Sequence, residues 1–334
     1  MNKIATIEKI HSIRVHPNAD KLACAKVLEW PVVIKKDDNY KDGDLVVFIQ
    51  IDTIVDKDNP YFAFMEKQKW RTWNARFRGE PSSGLVCPLK LVLKKGMKLE
   101  DCIEGTEVSE LLKCTHYEKP LAAEVMGMAK GNFPTKYVSI TDETNLLSAP
   151  RTLKEFDGLT CYISMKMDGS SCTMIRNETE EMVCSRRLTL KEGDSAFWQM
   201  QRKYDVFNKM RQLGINGALQ GEVCGPKING NKMDLTELDY YVFTYRDFST
   251  MEYVGLSGLY SICGSLALRM VPVLHTFRWD ETWNIERLRE FANNLTYPNG
   301  KPAEGIVVRP VLSRYSESLQ GMLSVKIINQ NYKE

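Results

Sequence analysis

Over roughly the first 115 residues the chain shows almost no helical periodicity, and this confines its N-terminal part to a β-rich fold. Ala5–Val15, Ala23–Trp30, Val32–Lys36 and Leu45–Ile51 are β-rich runs. They are broken by turn-forming residues at His16-Pro17-Asn18-Ala19-Asp20 and at Lys41-Asp42-Gly43-Asp44. Leu85–Val92 and Glu107–Leu112 read as further short strands. About five short strands in this length predict a small antiparallel barrel of the OB kind, with an SH3-like barrel as the alternative.

The pattern changes further on. From Thr115 to Ser148 it is mixed, and reads as a connection followed by a short helix at Thr141–Leu147. From Arg151 strands and helices alternate. Leu159–Met165 and Ser171–Ile175 flank a turn at Asp168-Gly169, and Glu181–Arg187 continues the meander. Asp194 to Leu213 predicts one amphipathic helix, since Phe197, Met200, Tyr204, Phe207 and Met210 recur at helical spacing, with Asp194 as N-cap and Gly214 as stop. Strands come next at Gly217–Val223, Tyr240–Tyr245, Val271–Phe277, Gly305–Pro310 and Leu323–Ile328, with helices at about Ser257–Leu268 and Thr282–Leu295. The expected class is therefore α+β, with residues 1–115 as the barrel, 116–140 as a linker and 141–334 as a second domain.

Composition narrows the setting more than the function. The chain is long enough, at 334 residues, for two cores. Its nine cysteines are scattered without a Cys-x-x-Cys pair, which argues against a disulfide framework and a zinc site. No signal peptide and no membrane-length apolar stretch is present, so an intracellular protein is expected. A formal net charge of only +2 does not announce a nucleic-acid binder, although local basic patches are compatible with it.

The chemistry-bearing signal is Lys166-Met167-Asp168-Gly169, where an apolar strand ends in a turn. Alone it is weak, because Asp-Gly is also a favoured hairpin turn. The segments downstream of it are more specific. Cys184-Ser185-Arg186-Arg187, Leu219-Gln220-Gly221-Glu222 and Tyr240-Tyr241-Val242-Phe243-Thr244-Tyr245 come first. Ala303-Glu304-Gly305-Ile306-Val307-Val308-Arg309 and Leu323-Ser324-Val325-Lys326-Ile327-Ile328 complete the series. In this order the segments resemble the six-motif core of the covalent nucleotidyltransferases: DNA ligases, RNA ligases and mRNA-capping enzymes.

That resemblance implies an assignment of roles. Lys166 would attack the α-phosphate of ATP and carry AMP. An ordinary lysine, with a pKa of about 10.4, is protonated at neutral pH, so a bound metal or Lys326 is expected to favour its neutral form. Lys326 would also neutralise charge on the phosphate in the transition state. Glu222 would bind the ribose, and Glu304, with Asp168 and Glu222, would help hold Mg²⁺ or Mn²⁺, partly through water. Phe243 would stack on adenine, and Met165 would offer backbone groups to its edge. Arg186 best matches the arginine that contacts nucleotide or 5′-phosphate, with Arg187 its rival.

Within this superfamily the chain is most similar to nick-sealing RNA ligases with an N-terminal OB module. The barrel precedes the core, and the chain stops eight residues after Lys326 (334 − 326), so no OB domain is expected after the core, unlike DNA ligases and capping enzymes. Ser139-Ile140-Thr141-Asp142-Glu143-Thr144-Asn145 and Pro150-Arg151-Thr152 look like an RNA-ligase lead-in, which implies that Arg151 reaches the triphosphate. One departure stands out: many relatives have Lys-x-Lys in the last motif where this chain has Ser324, and Arg309 is the candidate to assist instead.

In the barrel, Lys67, Lys69, Trp70, Arg71, Trp73, Arg76, Phe77 and Arg78 interleave basic and aromatic residues, a pattern suited to phosphates and bases. The plainer reading makes the aromatics core residues. His16-Pro17-Asn18-Ala19-Asp20-Lys21-Leu22 also resembles a segment of tRNA-binding OB modules. The resemblance as a whole implies a monomeric enzyme acting on RNA, with a nicked duplex bearing an RNA 3′-OH as substrate. A capping-type guanylyltransferase, a DNA ligase and a non-catalytic RNA-binding protein are the alternatives.

Overall fold

The alternating run at the N-terminus forms strand β1 (Ala5–Val15), with Ala5, Ile7 and Ile10 turned into a core. The structure is a computed structural model describing residues 4–118 and 126–332; part of the expected linker lies outside them. Two units emerge, Met1–Pro120 with Leu147–Pro150, and Leu121–Leu146 with Arg151–Glu334.

In the first unit β2 (Leu22–Val27), β3 (Trp30–Lys35) and β4 (Leu45–Ile49) join β1. A hairpin of β5 (Asn74–Phe77) and β6 (Glu80–Ser83) precedes β7 (Leu85–Cys87). The barrel sheet runs β3-β2-β1-β4-β7, all antiparallel. The first half of β1 pairs with β4 and the second half with β2, with a bulge between Ile10 and Ser12. A bulge bends its strand, which lets one strand serve two neighbours in a curved sheet. Ile7, Val47, Ile49, Val55, Phe62 and Leu112 form the core beneath it.

Two expectations change here. Leu85–Val92 is a strand only to Cys87 and then enters a single helical turn, α1 (Lys90–Leu93). Glu107–Leu112 makes one bridge, Glu107 to Thr6, and then turns, with Leu112 N–H donating to the Val108 carbonyl. Its apolar residues are buried by a turn, a pattern that alternation does not separate from a strand.

Beside a two-stranded sheet of Tyr315–Ser316 and Gly321–Met322, the second unit is built on two large sheets. One is built from β8 (Ala129–Asn132), β11 (Ser170–Arg176), β12 (Glu181–Cys184), β13 (Leu188–Leu190), β14 (Gly217–Cys224), β15 (Asp239–Asp247), β16 (Glu252–Tyr253) and β17 (Arg269–Met270). Its order is β8-β13-β12-β11-β14-β15-β16, with β17 also on β15. The other comprises β9 (Thr144–Asn145), β10 (Thr160–Lys166), β18 (Val273–Arg278), β19 (Gly305–Pro310) and β20 (Val325–Ile328), in the order β9-β20-β19-β10-β18. Most pairs are antiparallel; β9–β20 and β15–β17 are parallel.

Helices α2 (Ala196–Tyr204), α3 (Val206–Gln212) and α4 (Leu256–Leu266) cover the larger sheet, and α5 (Ile285–Asn293) lies against β19 and β20. Trp198, Phe207 and Met210 pack with Met174, Leu219 and Tyr240, each burial contributing about 1.5–3 kcal/mol. The expected single helix is thus two: Asp205, at φ 49°, breaks it, and Ser195, not Asp194, caps its start by accepting from Trp198 N–H at 3.3 Å. Thr141–Leu147 is not a helix; it is an extended strap ending in β9 and a 3-10 turn at Leu146–Ser148. Ala129–Asn132, expected to be connecting chain, is edge strand β8. Among the described residues no helix is long and apolar enough to cross a membrane.

Candidate active site

The apolar strand β10 ends at Lys166, and the chain then leaves one sheet for the other. β10 pairs with β18 and β19, whereas β11 pairs with β12 and β14, so Met167-Asp168-Gly169 is a crossover and not the hairpin turn its Asp-Gly allows. The glycine has a steric cause: a Cβ at Gly169 would lie 2.4 Å from the Val223 carbonyl oxygen and 2.7 Å from Cys224 Sγ. Register then gathers the carboxylates. Lys166 is opposite Gly305, which puts Glu304 beside it, and Glu222 enters from β14 opposite Ser171.

Lys166 Nζ donates to Glu304 Oε1 at 2.5 Å, with 24% of the lysine side chain exposed. Burial opposes the ammonium charge, but Glu304 and Glu222 outweigh it and hold its pKa above the ordinary value. Burial likewise raises Glu304, against the pull of Lys166. Glu222 is pushed up to about 8, by burial first and by Glu304 and Glu143 further, with Lys166 opposing. Two buried carboxylates share one ammonium; Glu304 takes the ion pair and Glu222 keeps a proton at neutral pH. Lys326, the neighbouring cation expected for Lys166, points elsewhere in this arrangement: its Nζ donates to Asp142 Oδ1 at 3.2 Å.

Asp142 also meets Arg186 Nη2, through Oδ2 at 2.8 Å, so one carboxylate bridges two of the expected phosphate-binding cations. Arg187, the rival to Arg186, is less exposed and lies on the same turn between β12 and β13. Arg151 is exposed on the 3-10 turn Pro150–Phe156. Phe243 is half-buried and packs against a cluster containing Met165 and Met167. Met165 N–H donates to the Pro272 carbonyl at 2.9 Å, which commits that backbone donor.

Arg309 corrects one expectation. It is 4% exposed, and its guanidinium donates to Ser324 Oγ at 2.9 Å, the Phe243 carbonyl at 2.8 Å and Glu143 at 2.5 Å. So engaged, it is not available to a triphosphate. Ser324, in the place of the first lysine of Lys-x-Lys, is buried and receives Arg309. Burial would raise the Glu143 pKa, yet Arg309 and Lys326 lower it below the usual range.

Asp168 is buried and accepts twice, from Asn229 Nδ2 at 3.1 Å and Tyr332 Oη at 2.6 Å. Among the described residues no three His, Cys, Asp or Glu side chains gather closely enough to hold a metal ion by themselves. The donor set still fits a hard divalent cation bound partly through water: it offers oxygen ligands only, and burial holds the pKa of both Glu222 and Glu304 above the ordinary value, a cost that a bound cation would relieve.

In the barrel unit, Arg78 (φ 46°) and Gly79 (φ 97°) form the turn of the β5–β6 hairpin, both in the left-handed region that primed hairpin turns need. Buried His16 anchors it: Nε2 lies 2.9 Å from the Phe77 carbonyl, while Nδ1 accepts from Asn18 N–H at 3.1 Å. Phe77 and Trp73 are 46% and 39% exposed, beside Arg76 and exposed Arg78, whereas Trp70 packs on the core. Lys67 and Lys69 are exposed on and after the 3-10 segment Pro60–Gln68; Arg71 pairs with Asp52 at 2.5 Å and lies over the Tyr117 ring.

Sequence reasoning missed Asp142, Glu143, Asn229 and Tyr332 as parts of this site. The first two lay in a segment singled out only for its resemblance. The other two sit in a turn-rich loop and beyond the last motif, where no periodicity marks them.

A family model described as RNA ligase matches residues 159–328, just over half of the chain and every motif from Lys166 to Lys326. The chain belongs to the RNA ligase family. An OB-fold domain model matches residues 4–89 of the ligase, which fixes the N-terminal unit as an OB module. No curated protein sequence matches it. Among solved structures, an apo form of a Naegleria gruberi RNA ligase variant superposes with a TM-score of 0.86 at 28% identity, covering 99% of this chain and 98% of that one. A variant of the Naegleria gruberi ligase with ATP and Mn gives 0.85, and that ligase with PPi gives 0.84, at the same identity and coverage.

Proposed function

We propose that this RNA ligase uses ATP to seal 3′-OH/5′-phosphate nicks through an AMP carried on Lys166. The observation that carries the reading is Lys166 at the end of β10, clamped to Glu304 with Glu222 at hand. The likeness to the Naegleria gruberi enzyme with ATP and Mn, and with PPi, supports the nucleotide and the metal.

ATP is a substrate here. Nζ attacks the α-phosphorus, the N–P bond forms, the bond to the bridging oxygen breaks, and pyrophosphate leaves. The ammonium must lose its proton first, and Glu304, with its raised pKa, is the adjacent acceptor. Glu222 presents its carboxyl to the ribose hydroxyls. Phe243 stacks on the base, and Lys326 and Arg186 exchange Asp142 for phosphate oxygens. Arg151 serves the triphosphate, and Arg187 is the alternative to Arg186 at the nucleotide or the 5′-phosphate. Glu222, Glu304 and Asp168 would hold Mg²⁺ or Mn²⁺ with waters, which supplies charge neutralisation at the phosphates.

AMP then passes to a 5′-phosphate, and a 3′-OH displaces it. Residues 1–115 grip the RNA, and 141–334 perform the chemistry in a monomer. Incubation with ATP labelled on the α-phosphate, with Mn²⁺ and without RNA, tests the first step. Acid-labile label from ATP, absent in Lys166→Ala, is expected. Label from GTP instead would assign capping chemistry, and label from neither would leave an RNA-binding protein.

A further inference from the structure

The two oxygens of Asp168 are held from two places distant in sequence. Asn229, in the loop after β14, donates through Nδ2 to Oδ1 at 3.1 Å and also to the Gly169 carbonyl at 2.6 Å. One amide thus grips both Asp168 and Gly169 of the crossover. Tyr332, beyond β20, donates to Oδ2 at 2.6 Å, and Lys232 Nζ lies 4.2 Å from the centre of its ring.

The segment that carries Tyr332 is itself anchored to the opposite wall. Asn329 is 1% exposed; its side chain donates to the Leu295 and Ala303 carbonyls, and its N–H donates to the Glu304 carbonyl at 3.0 Å. Tyr332 N–H in turn donates to the Asn329 carbonyl at 3.1 Å. The stretch from Asn329 to Tyr332 therefore ties Asp168, two positions after Lys166, to the backbone of Glu304, the carboxylate that Lys166 holds. A nucleophile displaced by about 1 Å loses on the order of 100-fold in rate, so a tie at this place bears on the chemical step.

We propose that Tyr332 and Asn229 are positioning residues for adenylyl transfer: they fix the Lys166–Gly169 crossover so that Nζ stands in line with the α-phosphate. The inference rests on the lysyl-AMP reading of Lys166. Neither side chain touches ATP in this scheme, so their loss lowers the rate of N–P bond formation and leaves nucleotide affinity nearly intact.

The test is single-turnover lysyl-AMP formation against ATP concentration for the full chain, Tyr332→Phe and Asn229→Ala, with melting temperatures alongside. Each variant is expected to lower the limiting rate about 10-fold or more, with half-saturating ATP within about threefold of wild type. The double variant should fall short of the product of the singles, because both serve one carboxylate. Undiminished rates in both variants overturn the inference while leaving Lys166 as the AMP carrier. A loss matched by an equal rise in ATP requirement, or by a collapse in melting temperature in both variants, also overturns it. Absence of label on the wild-type chain would instead remove the lysyl-AMP reading, and this inference with it.

Discussion

The cations around Lys166 in the ligase unit and the exposed ones near the β5–β6 hairpin of the OB module are held in different ways. Lys166, Arg309, Lys326 and Arg186 each meet a carboxylate, and Arg309 is buried outright. Among the described residues Lys67, Lys69, Arg76 and Arg78 meet no carboxylate; Arg76 and Arg78 touch only backbone carbonyls. Paired charges hold fixed geometry for bond making. Exposed ones keep rotamer freedom and suit a backbone of phosphates that presents itself in many registers. Phosphoryl chemistry needs the first kind of cation and strand gripping needs the second.

Four experiments would break or sharpen that contrast. The largest effect is expected from Lys166→Ala, which should lower sealing of 5′-phosphate nicks by at least about 1,000-fold, yet still join pre-adenylylated ends. Joining lost on both substrates would mean the lysine does more than carry AMP. Next comes Arg309→Ala. It strands Glu143 in the interior, so urea unfolding should show a loss of about 3–5 kcal/mol, whereas Lys326→Ala should stay within about 1 kcal/mol of wild type while adenylation falls. Equal stability losses would erase the distinction between buried and bridging cations.

In the OB module, Phe77→Ala should weaken RNA binding by about 1–3 kcal/mol. Arg76→Ala with Arg78→Ala should flatten the salt dependence of log K by about 1–2, with lysyl-AMP formation unchanged. An unaltered slope would remove the hairpin from the RNA path. The smallest effect concerns Glu222, measured on metal-free protein. Its carboxyl ionises near 4.5 when unfolded and about 8 when folded, so the folded state retains a proton between those values and stability falls as pH rises through them. Glu222→Gln escapes this, and should melt above wild type near pH 8.5, with the gap closing toward about pH 5. A gap independent of pH would contradict the buried, protonated carboxyl.

The order of motifs was legible because each reactive residue sits in or directly beside an apolar strand. Glu222 and Lys326 fell within expected strands, Lys166 closes β10 one residue past its expected end, and Glu304 immediately precedes β19. What eluded the sequence was partnership. Alternation marks a strand but not its neighbour, so Asp168-Gly169 read as a turn between two strands without revealing that it crosses between sheets. Arg309 looked available because nothing local reveals that Glu143, 166 residues away, would claim it. Asp205 broke a helix by adopting a left-handed conformation that its neighbours' apolar spacing did not disclose. The OB strands came through well, while Glu107–Leu112 shows that a buried turn and a short strand share one apolar signature.

All nine cysteines are free and buried, Cys172 and Cys224 among them on the strands that flank the crossover. Burial raises the pKa of Cys224 and of Cys172, so little thiolate exists at neutral pH and alkylation requires the shell around each sulfur to open first. The chain thus carries its own set of clocks. Mapping which thiol a slow alkylating reagent reaches, and how fast, would time the local breathing of each core, and a nucleotide that quietens Cys224 while leaving Cys87 unchanged would locate its grip without any added probe.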